Sequence, residues 1–249
     1  MAEQAKGKVA LVTGGNRGIG LETVKQLAQQ GLHVLLGARN EAKGKEAAEK
    51  LKSEKLDVEF ILLDVDDPKT HAQAAKSIEQ KFDKLDVLVN NAGILIDERG
   101  KGGFTVTSKV PMDVIRKTFE TNFFNVIALT QTLVPLIDKS EAGRIVFLSS
   151  GLGSLTMHSD PKSPIYNYKP VAYDLSKTAL NAFAVHLAHD LRKTAIKVNI
   201  AHPGSVVTDM NAAGDIQVDE GAKTSVALAT LPADGYSGKF IHLGQELPW

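Results

Sequence analysis

Short runs of consecutive hydrophobic residues recur along the chain, and most are separated by segments long enough for a helix. Continuous rather than alternating hydrophobicity is typical of strands buried on both faces, as in a parallel sheet. The pattern predicts about seven strands of one mostly parallel sheet, at Val9–Val12, Leu32–Leu36, Val58–Leu63, Val87–Val89, Ile145–Leu148, Ile196–Ala201 and Phe240–Leu243.

The segments between these runs carry hydrophobic residues at the three-to-four-residue spacing of an amphipathic helix. One example is the series Ile115, Phe119, Phe123 and Ile127. A strand followed by a helix, repeated along the chain, predicts an α/β fold with a doubly wound sheet and helices on both faces. Ligands of such sheets bind beyond the carboxyl ends of the strands. The candidate site is therefore expected at that edge.

Length and composition favour one domain and exclude several classes of protein. The chain has 249 residues, 29 Lys plus Arg against 29 Asp plus Glu, and no cysteine. An α/β domain of about 250 residues is common, and neither a linker nor an internal repeat interrupts this chain. The balanced charge gives no broad basic field for binding nucleic acid or an anionic membrane. Without cysteine, disulfide, iron–sulfur and thiolate chemistry are excluded.

The sequence carries neither a targeting nor a membrane-spanning signal. Residues 1–8 lack the apolar core of a signal peptide, and no run approaches the roughly 18 apolar residues that cross a bilayer. We expect a cytoplasmic protein. His186 and His189 lie three residues apart on a predicted helix, but no third ligand stands at a suitable spacing, so no metal site is expected.

A glycine-rich turn follows the first predicted strand. Residues 13–20 read Thr-Gly-Gly-Asn-Arg-Gly-Ile-Gly, and a helical pattern begins inside this segment. Glycines allow a positive φ and a close approach of the backbone to a pyrophosphate, and a helix N-terminus supplies free N–H groups. The turn is a candidate dinucleotide-binding loop. Taken alone, it also fits an ordinary glycine-rich connection between a strand and a helix.

The end of the second strand bears on the choice of nicotinamide cofactor. NAD sites typically place a carboxylate there to hold the ribose hydroxyls, whereas this chain has Ala38, Arg39 and Asn40. Arg39 offers donors that suit a 2′-phosphate, and Arg17 of the glycine-rich turn is placed to reach the same group. The alternative is that both arginines are simply solvated. We expect NADPH to be preferred over NADH.

Two further strand ends carry candidate contacts to the adenosine half of a cofactor. Asp64 would accept a hydrogen bond from the adenine amino group, and Val65 would pack near the ring. Capping of the helix that follows Pro68 is an equal alternative for Asp64. Residues 90–93, Asn-Asn-Ala-Gly, close the fourth strand, and their amides suit a tie between neighbouring strand ends.

Tyr173 and Lys177 form a candidate acid–base pair. Of the four tyrosines, only Tyr173 has a lysine four residues later, and this spacing places both side chains on one face of a helix. A nearby ammonium group favours the phenolate and is expected to lower the phenol pKa. Ser150, after the fifth strand, is placed to polarise a carbonyl while the tyrosine transfers a proton. In isolation, each motif also fits a purely structural role.

Taken in order, these segments resemble the short-chain dehydrogenase/reductase family over nearly the whole chain. The matching segments are 13–20, 90–93, 121–122, Ser150, Tyr173 with Lys177, and 203–208. The resemblance implies a Rossmann-type fold in which residues 1–249 form one NADP-binding catalytic domain. The C-terminal part is similar to the carbonyl reductases within that family, since the Asp-Gly-Gly signature of ketoacyl-carrier-protein reductases is missing.

The family pattern implies roles for the matching residues. Tyr173 would be the general acid/base, and Ser150 would orient the carbonyl. Lys177 would bind the nicotinamide ribose and tune the tyrosine, while Asn122 would hold a water for proton relay. Asn125 departs from the pattern, where Gly is common, and is expected to alter the bend of its helix. The other implied cofactor contacts are Gly14, Asn16, Arg17, Gly18, Ile19, Gly20, Arg39, Asp64, Val65, Asn91, Ala92, Gly93, Pro203, Gly204, Val206 and Thr208.

The expected function is NADPH-dependent reduction of an aldehyde or ketone to an alcohol, with hydride transfer from the nicotinamide and a proton from Tyr173. An NADP-dependent alcohol dehydrogenase and a non-catalytic NADPH-sensing protein are the alternatives. The resemblance leaves a monomer, a homodimer and a homotetramer open.

Substrate walls are expected from two segments that follow strands, 95–111 and 151–170, and from the loop after the sixth strand. These walls are mostly apolar, which argues against a strongly anionic substrate. His202 is expected near the nicotinamide. The individual wall residues are Ile94–Ile96, Gly151–Leu155, His158, Tyr166, Tyr168 and Val206–Ala213.

Overall fold

Strands and helices alternate along the chain in the computed structural model, which describes residues 7–100 and 103–249. The strands are β1 (Val9–Thr13), β2 (His33–Ala38), β3 (Val58–Leu62), β4 (Val87–Asn90), β5 (Arg99–Gly100), β6 (Gly103–Phe104), β7 (Arg144–Leu148), β8 (Lys197–Ala201), β9 (Phe240–His242) and β10 (Gln245–Glu246). The helices are α1 (Gly18–Gln29), α2 (Glu41–Ser53), α3 (Pro68–Phe82), α4 (Met112–Phe119), α5 (Asn125–Ile137), α6 (Leu155–Ser159), α7 (Val171–Asp190) and α8 (Val218–Ala229). The described residues do not include 1–6, which belong to the N-terminal segment considered for a targeting signal. They also do not include 101 and 102, which belong to the predicted substrate wall 95–111.

One large sheet forms the centre of the described part of the chain. Its strand order is β10-β9-β8-β7-β4-β1-β2-β3, and all neighbouring pairs are parallel except β9 with β10. The predicted doubly wound α/β sheet is confirmed. The strand count of about seven is too low by one, because the two-residue strand β10 returns antiparallel to β9 and is too short to leave a hydrophobic run.

Helices cover both faces of this sheet. Alternate residues of β1 point to opposite sides, so Ala10 and Val12 join one core cluster while Val9 and Leu11 join the other. The first cluster includes buried residues of α1, α2 and α8, and the second those of α3, α5 and α7. All five residues of β1 are buried, as the continuous hydrophobic pattern predicts.

The predicted helical series from Ile115 to Ile127 is interrupted. Helices α4 and α5 are joined by a π-helical turn, Glu120–Phe124. Such turns are rare and occur often at functional sites. The turn faces the protein interior with Thr121 and Asn122, both of which are buried. A continuous three-to-four-residue pattern cannot reveal this change of period.

No helix in the described residues is long and apolar enough to cross a membrane.

Leu133 tests the packing of α5 against the sheet. Its side chain has no exposed surface, so Leu133→Ala is expected to lower the free energy of unfolding by about 2–5 kcal/mol, through lost burial and the cavity left behind. Chemical denaturation measures the change. Gln131→Ala, at an exposed position of the same helix, is the matched control and should change stability by less than about 0.5 kcal/mol. Equal effects of the two substitutions would contradict the assigned packing.

Candidate active site

A cavity of about 490 Å³ opens at the carboxyl ends of the parallel strands. Its lining comes from the ends of these strands and the segments that follow β1, β2, β3, β4, β7 and β8, together with Thr121 of the π-helical turn and Tyr173 and Lys177 of α7. This is the edge at which the sequence pattern predicts a ligand site.

Most of the predicted cofactor contacts line this cavity. Gly204 and Val206 do not, although the neighbouring Val207 does. Val206 is buried, and it pairs with Ile216 in an isolated β-bridge. Alternate residues of extended backbone point to opposite sides, which agrees with Val207 rather than Val206 lining the cavity. The cofactor contacts at Gly204 and Val206 stay predictions. The predicted contacts that line the cavity are Gly14, Asn16, Arg17, Gly18, Ile19, Gly20, Arg39, Asp64, Val65, Asn91, Ala92, Gly93, Tyr173, Lys177, Pro203 and Thr208.

The glycine-rich turn packs closely against the end of β4. Gly14 has φ +64°, and a Cβ on Gly20 would lie 2.3 Å from the Gly14 oxygen. Asn91 Nδ2 donates to the Thr13 oxygen at 2.8 Å, and Asn91 N donates to Thr13 Oγ1 at 3.0 Å. Glycine is thus required at position 20, and Asn91 ties the ends of β1 and β4 as predicted.

The backbone of this turn suits an anionic group. Helix α1 begins at Gly18, and Arg17, its N-cap residue, makes no side-chain capping hydrogen bond. The first N–H groups of α1 are therefore not capped by that side chain, and they carry the partial positive charge of the helix N-terminus. A dinucleotide pyrophosphate could accept hydrogen bonds from these donors. Three glycines of the turn line the cavity, and because they have no side chains the pyrophosphate could approach the backbone closely.

Two arginines line the same end of the cavity. Arg39 is exposed, and in the described part of the chain it has no ion-pair partner within 4 Å. Arg17 Nη1 lies 2.7 Å from Asp209 Oδ2, a pair that joins the glycine-rich turn to the loop after Thr208. Both side chains of this pair are exposed, so the pair contributes little stability. Both guanidinium groups thus have donors that a phosphate can recruit.

Asp64 does not cap the helix that follows it. Its Oδ1 accepts from Asp66 N at 3.1 Å. The cap of α3 is Asp67, which accepts from Lys69 N at 3.0 Å. The alternative role of Asp64 as a helix cap is therefore wrong, and its side chain lines the cavity.

Asp66 is a cavity residue that the sequence pattern does not single out. It accepts hydrogen bonds from Lys117 Nζ at 2.7 Å, Thr121 Oγ1 at 3.0 Å and Asn125 Nδ2 at 3.0 Å. Burial raises its pKa, but these three donors outweigh burial and hold the pKa below the ordinary value. The donors span the π-helical turn, so Asp66 fixes the turn against the cavity wall. Asn125 therefore supplies a contact that glycine could not make.

Asn122, in the same turn, lies behind the cavity rather than in its lining. Its side chain has no exposed surface. Oδ1 accepts from Ile94 N at 2.8 Å, while Nδ2 donates to the Ile94 oxygen at 2.8 Å and to Ser176 Oγ at 3.1 Å. Asn122 thus holds the loop after β4 against helix α7.

The structure brings Tyr173, Lys177 and Ser150 together. Lys177 Nζ lies 5.5 Å from the centre of the Tyr173 ring and donates to the Leu148 oxygen at 2.8 Å. Ser150 lies close enough to the Tyr173 side chain to influence its pKa, and its Oγ accepts from Leu152 N at 3.2 Å. Tyr173 and Lys177 line the cavity, whereas Ser150 lies next to the tyrosine but outside the lining, which includes its neighbour Ser149.

Burial sets the protonation of this group. It raises the pKa of the Tyr173 phenol, the charge of Asp174 adds to the rise, and Ser150 only partly opposes it. In the protein alone the pKa is therefore raised rather than lowered, because burial disfavours the phenolate. Burial lowers the pKa of Lys177 to about 8. At neutral pH the phenol is protonated and the lysine remains a cation.

Two histidines make contacts that the sequence pattern does not reveal. His158, expected in a substrate wall, turns inward, with Nε2 3.0 Å from the Leu152 oxygen and 3.2 Å from Asp174 Oδ2. His202 Nδ1 accepts from Gly151 N at 3.0 Å. Burial, followed by the nearby His242, lowers the pKa of His202 to about 4. His202 is thus a neutral support for the turn after β7 rather than a lining residue. Leu155, Tyr166 and Tyr168 also lie outside the cavity lining.

Within residues 7–100 and 103–249, no group of three or more His, Asp or Glu side chains is arranged to hold a metal ion.

Comparison with known proteins shows the family of the chain. The family model described as short chain dehydrogenase matches residues 8–218. The chain belongs to the short-chain dehydrogenase family. Among its relatives, salutaridine reductase of Papaver bracteatum is 34% identical over 94% of each chain. The (+)-neomenthol dehydrogenase of Capsicum annuum is 32% identical over 97% of this chain and 98% of the relative.

Solved structures of other short-chain dehydrogenases have the same fold. The NADPH-bound carbonyl reductase from chicken fatty liver superposes with a TM-score of 0.82, at 27% identity over 98% of this chain and 99% of the other. A short chain dehydrogenase from Burkholderia cenocepacia in complex with NADP gives a TM-score of 0.78, at 29% identity over 96% of both chains.

The buried Asp174 makes the stability of this short-chain dehydrogenase depend on pH. Burial and then the charge of Asp97 raise its carboxyl pKa to about 8, from an ordinary 3.8, although Lys169 acts in the opposite direction. Between these values the unfolded chain loses the proton while the folded chain keeps it, so this group destabilises the fold as pH rises. Between pH 5 and pH 8, the free energy of unfolding of Asp174→Asn is expected to rise by at least about 1 kcal/mol relative to that of the wild type.

Denaturant unfolding at both pH values measures this gain. Asp190→Asn, an exposed position at the end of the same helix, is the control and should show the same difference from wild type at both pH values. A gain no larger for Asp174→Asn than for the control would rule out the buried carboxyl as the source.

Proposed function

We propose that this short-chain dehydrogenase reduces an aldehyde or ketone to an alcohol with NADPH. The observation that carries the proposal is the pairing of Tyr173 and Lys177 in the lining of a cavity that also includes a glycine-rich turn, with Ser150 beside the tyrosine. Relatives named as a reductase and a dehydrogenase support the same class of reaction.

The residues present fit a nicotinamide dinucleotide phosphate. The glycine-rich turn and the start of α1 would hold the pyrophosphate, and Arg39 with Arg17 would hold the 2′-phosphate. Asp64 and Val65 would contact the adenine, and Lys177 would contact the nicotinamide ribose. Structural neighbours that contain NADP or NADPH support this choice. When bound, the cofactor supplies the hydride for the carbonyl carbon.

The protein's own groups would position the carbonyl and supply the proton. Ser150 would donate a hydrogen bond to the carbonyl oxygen and polarise it. The raised pKa of Tyr173 keeps the phenol protonated, so its O–H can donate to the alkoxide that forms. Lys177 would stabilise the resulting phenolate as a neighbouring cation. Asn122 would support the relay that returns a proton to Tyr173.

The cavity lining includes several apolar residues. Ile94, Val207 and Met210 are among them, which favours a carbonyl compound with apolar substituents. The relative named (+)-neomenthol dehydrogenase favours one alternative, NADP-dependent alcohol oxidation by the same residues. Comparing initial rates of NADPH oxidation and NADP reduction on matched carbonyl and alcohol pairs would separate the two directions.

Two broader predictions accompany the activity. The sheet has one core cluster on each face, which supports a single catalytic domain. A cytoplasmic location stays a prediction from the sequence. The oligomeric state stays open among a monomer, a homodimer and a homotetramer.

Tyr173→Phe is expected to reduce NADPH-dependent turnover to below a few per cent of wild type, because the variant lacks the proton donor, and to leave NADPH binding within about twofold. Absorbance at the NADPH band, measured with a panel of aldehydes and ketones, tests turnover, and fluorescence titration tests binding. Tyr236→Phe, a partly exposed tyrosine outside the cavity lining, is the control. Wild-type turnover in Tyr173→Phe would overturn the assignment.

Arg39→Asp is expected to lower kcat/KM for NADPH about 10- to 100-fold, since a carboxylate would repel the 2′-phosphate, and to affect NADH much less. Lys43→Asp makes the same charge change at an exposed position on α2, so it separates a specific contact from a general loss of positive charge. Equal efficiency of the wild type with NADPH and NADH would refute the preference.

A further inference from the structure

The helix that carries Tyr173 is capped by a residue far away in the sequence. Helix α7 begins at Val171, and Pro170 before it makes no side-chain capping hydrogen bond. Asp97, in the loop after β4, accepts from Ala172 N through Oδ1 at 2.8 Å and from Tyr173 N through Oδ2 at 3.1 Å. One carboxylate thus satisfies two N–H groups that the first turn of a helix leaves without partners.

The loop that contains Asp97 also contacts the cavity and the π-helical turn. Ile94 lines the cavity, and both its N–H and its carbonyl oxygen are hydrogen-bonded by Asn122. Three residues later, Asp97 holds the backbone of Tyr173. The segment from Ile94 to Asp97 therefore links two elements that carry proposed catalytic residues. A shift of this segment would move Tyr173 relative to Asn122.

The contact at Asp97 is more specific than an exposed ion pair between two flexible side chains. Asp97 is only partly exposed, and both its oxygens are used on adjacent backbone donors. A carboxylate at a helix N-terminus is favoured by the helix dipole. An asparagine there could accept through one atom only, and its NH2 group would face a backbone N–H. The geometry therefore distinguishes Asp from its closest isostere.

We propose that Asp97 is a positioning residue for the reaction: its carboxylate fixes the first turn of α7 and so sets the location of the Tyr173 hydroxyl beside Ser150 and the cavity. This inference rests on the proposed function, because it gives Asp97 a role through the proton donor. Asp97 acts through the backbone and does not itself contact the reacting atoms.

The first test is kinetic. Asp97→Ala is expected to lower kcat about 10- to 100-fold, as misplacement of a reacting group by about 1 Å does. The Kd for NADPH should stay within about twofold, since the cofactor loop is untouched. Asp97→Asn should give an intermediate kcat because it keeps one acceptor. Glu98→Gln, the exposed neighbour whose side chain makes no hydrogen bond in the described residues, is the control and should match the wild type.

The second test does not depend on turnover. Hydrogen exchange of a peptide covering Ala172 and Tyr173 should be faster in Asp97→Ala than in the wild type or Glu98→Gln. Exchange in the glycine-rich turn should be unchanged. Wild-type exchange at the start of α7 in Asp97→Ala would overturn the inference, whether or not the enzyme turns over any carbonyl compound.

The two tests separate the possible failures. A wild-type protein that binds NADPH but reduces no carbonyl compound would refute the proposed function. An active wild type whose Asp97→Ala variant has wild-type kcat per folded molecule would refute the positioning role alone. So would a loss of kcat matched by an equal weakening of NADPH binding, because it would indicate general damage to the fold.

Discussion

Burial of both faces of the parallel sheet is the constraint on which the rest of the structure depends. Helices cover each face, so the polar groups of β1, β4 and β7 reach a ligand only where the strands end. Thr13, Asn91 and the Leu148 carbonyl lie at such ends, and each one is used: the first two fasten β1 to β4, and the third holds Lys177. The cavity is therefore lined by polar groups at the strand ends, outside the hydrophobic core.

The same burial explains the chemistry of the site. A phenol and an ammonium group that lie close together at the edge of a dry core are both driven toward their neutral forms. The pKa of Tyr173 is accordingly raised, and that of Lys177 is lowered to about 8. A protonated phenol is the form needed to donate to an alkoxide. In the proposed reaction, desolvation of the phenol would therefore keep Tyr173 in the protonated form that the reductive direction needs.

Local patterns predict the sheet and most of the cavity because both follow from local sequence. Continuous hydrophobic runs reveal buried strands, and ligand-facing residues follow those runs directly. The errors arise where the outcome depends on contacts between distant segments. Asp66 receives donors from Lys117 to Asn125, and Asp97 caps a helix that begins 74 residues later. No spacing rule within either segment contains that information. The direction in which side chains of the loop after β8 point also depends on a distant contact. Val206 forms a bridge with Ile216, and Val207 rather than Val206 lines the cavity.

Charged residues are placed differently at the two ends of the cavity. The chain has no net formal charge, yet the two ends of the cavity differ in their electrostatics. At the cofactor end, the exposed pair of Arg17 and Asp209 is worth little, so an incoming phosphate would displace it at small cost. At the reaction end, the Asp97 carboxylate and the Lys177 ammonium lie against or in the first two turns of α7, and the buried Lys177 charge interacts more strongly with its surroundings than an exposed charge does. The proposed cofactor end can therefore exchange ion-pair partners while the start of α7 is held fixed, which would suit release of the cofactor after each turnover with the proposed proton donor kept in place.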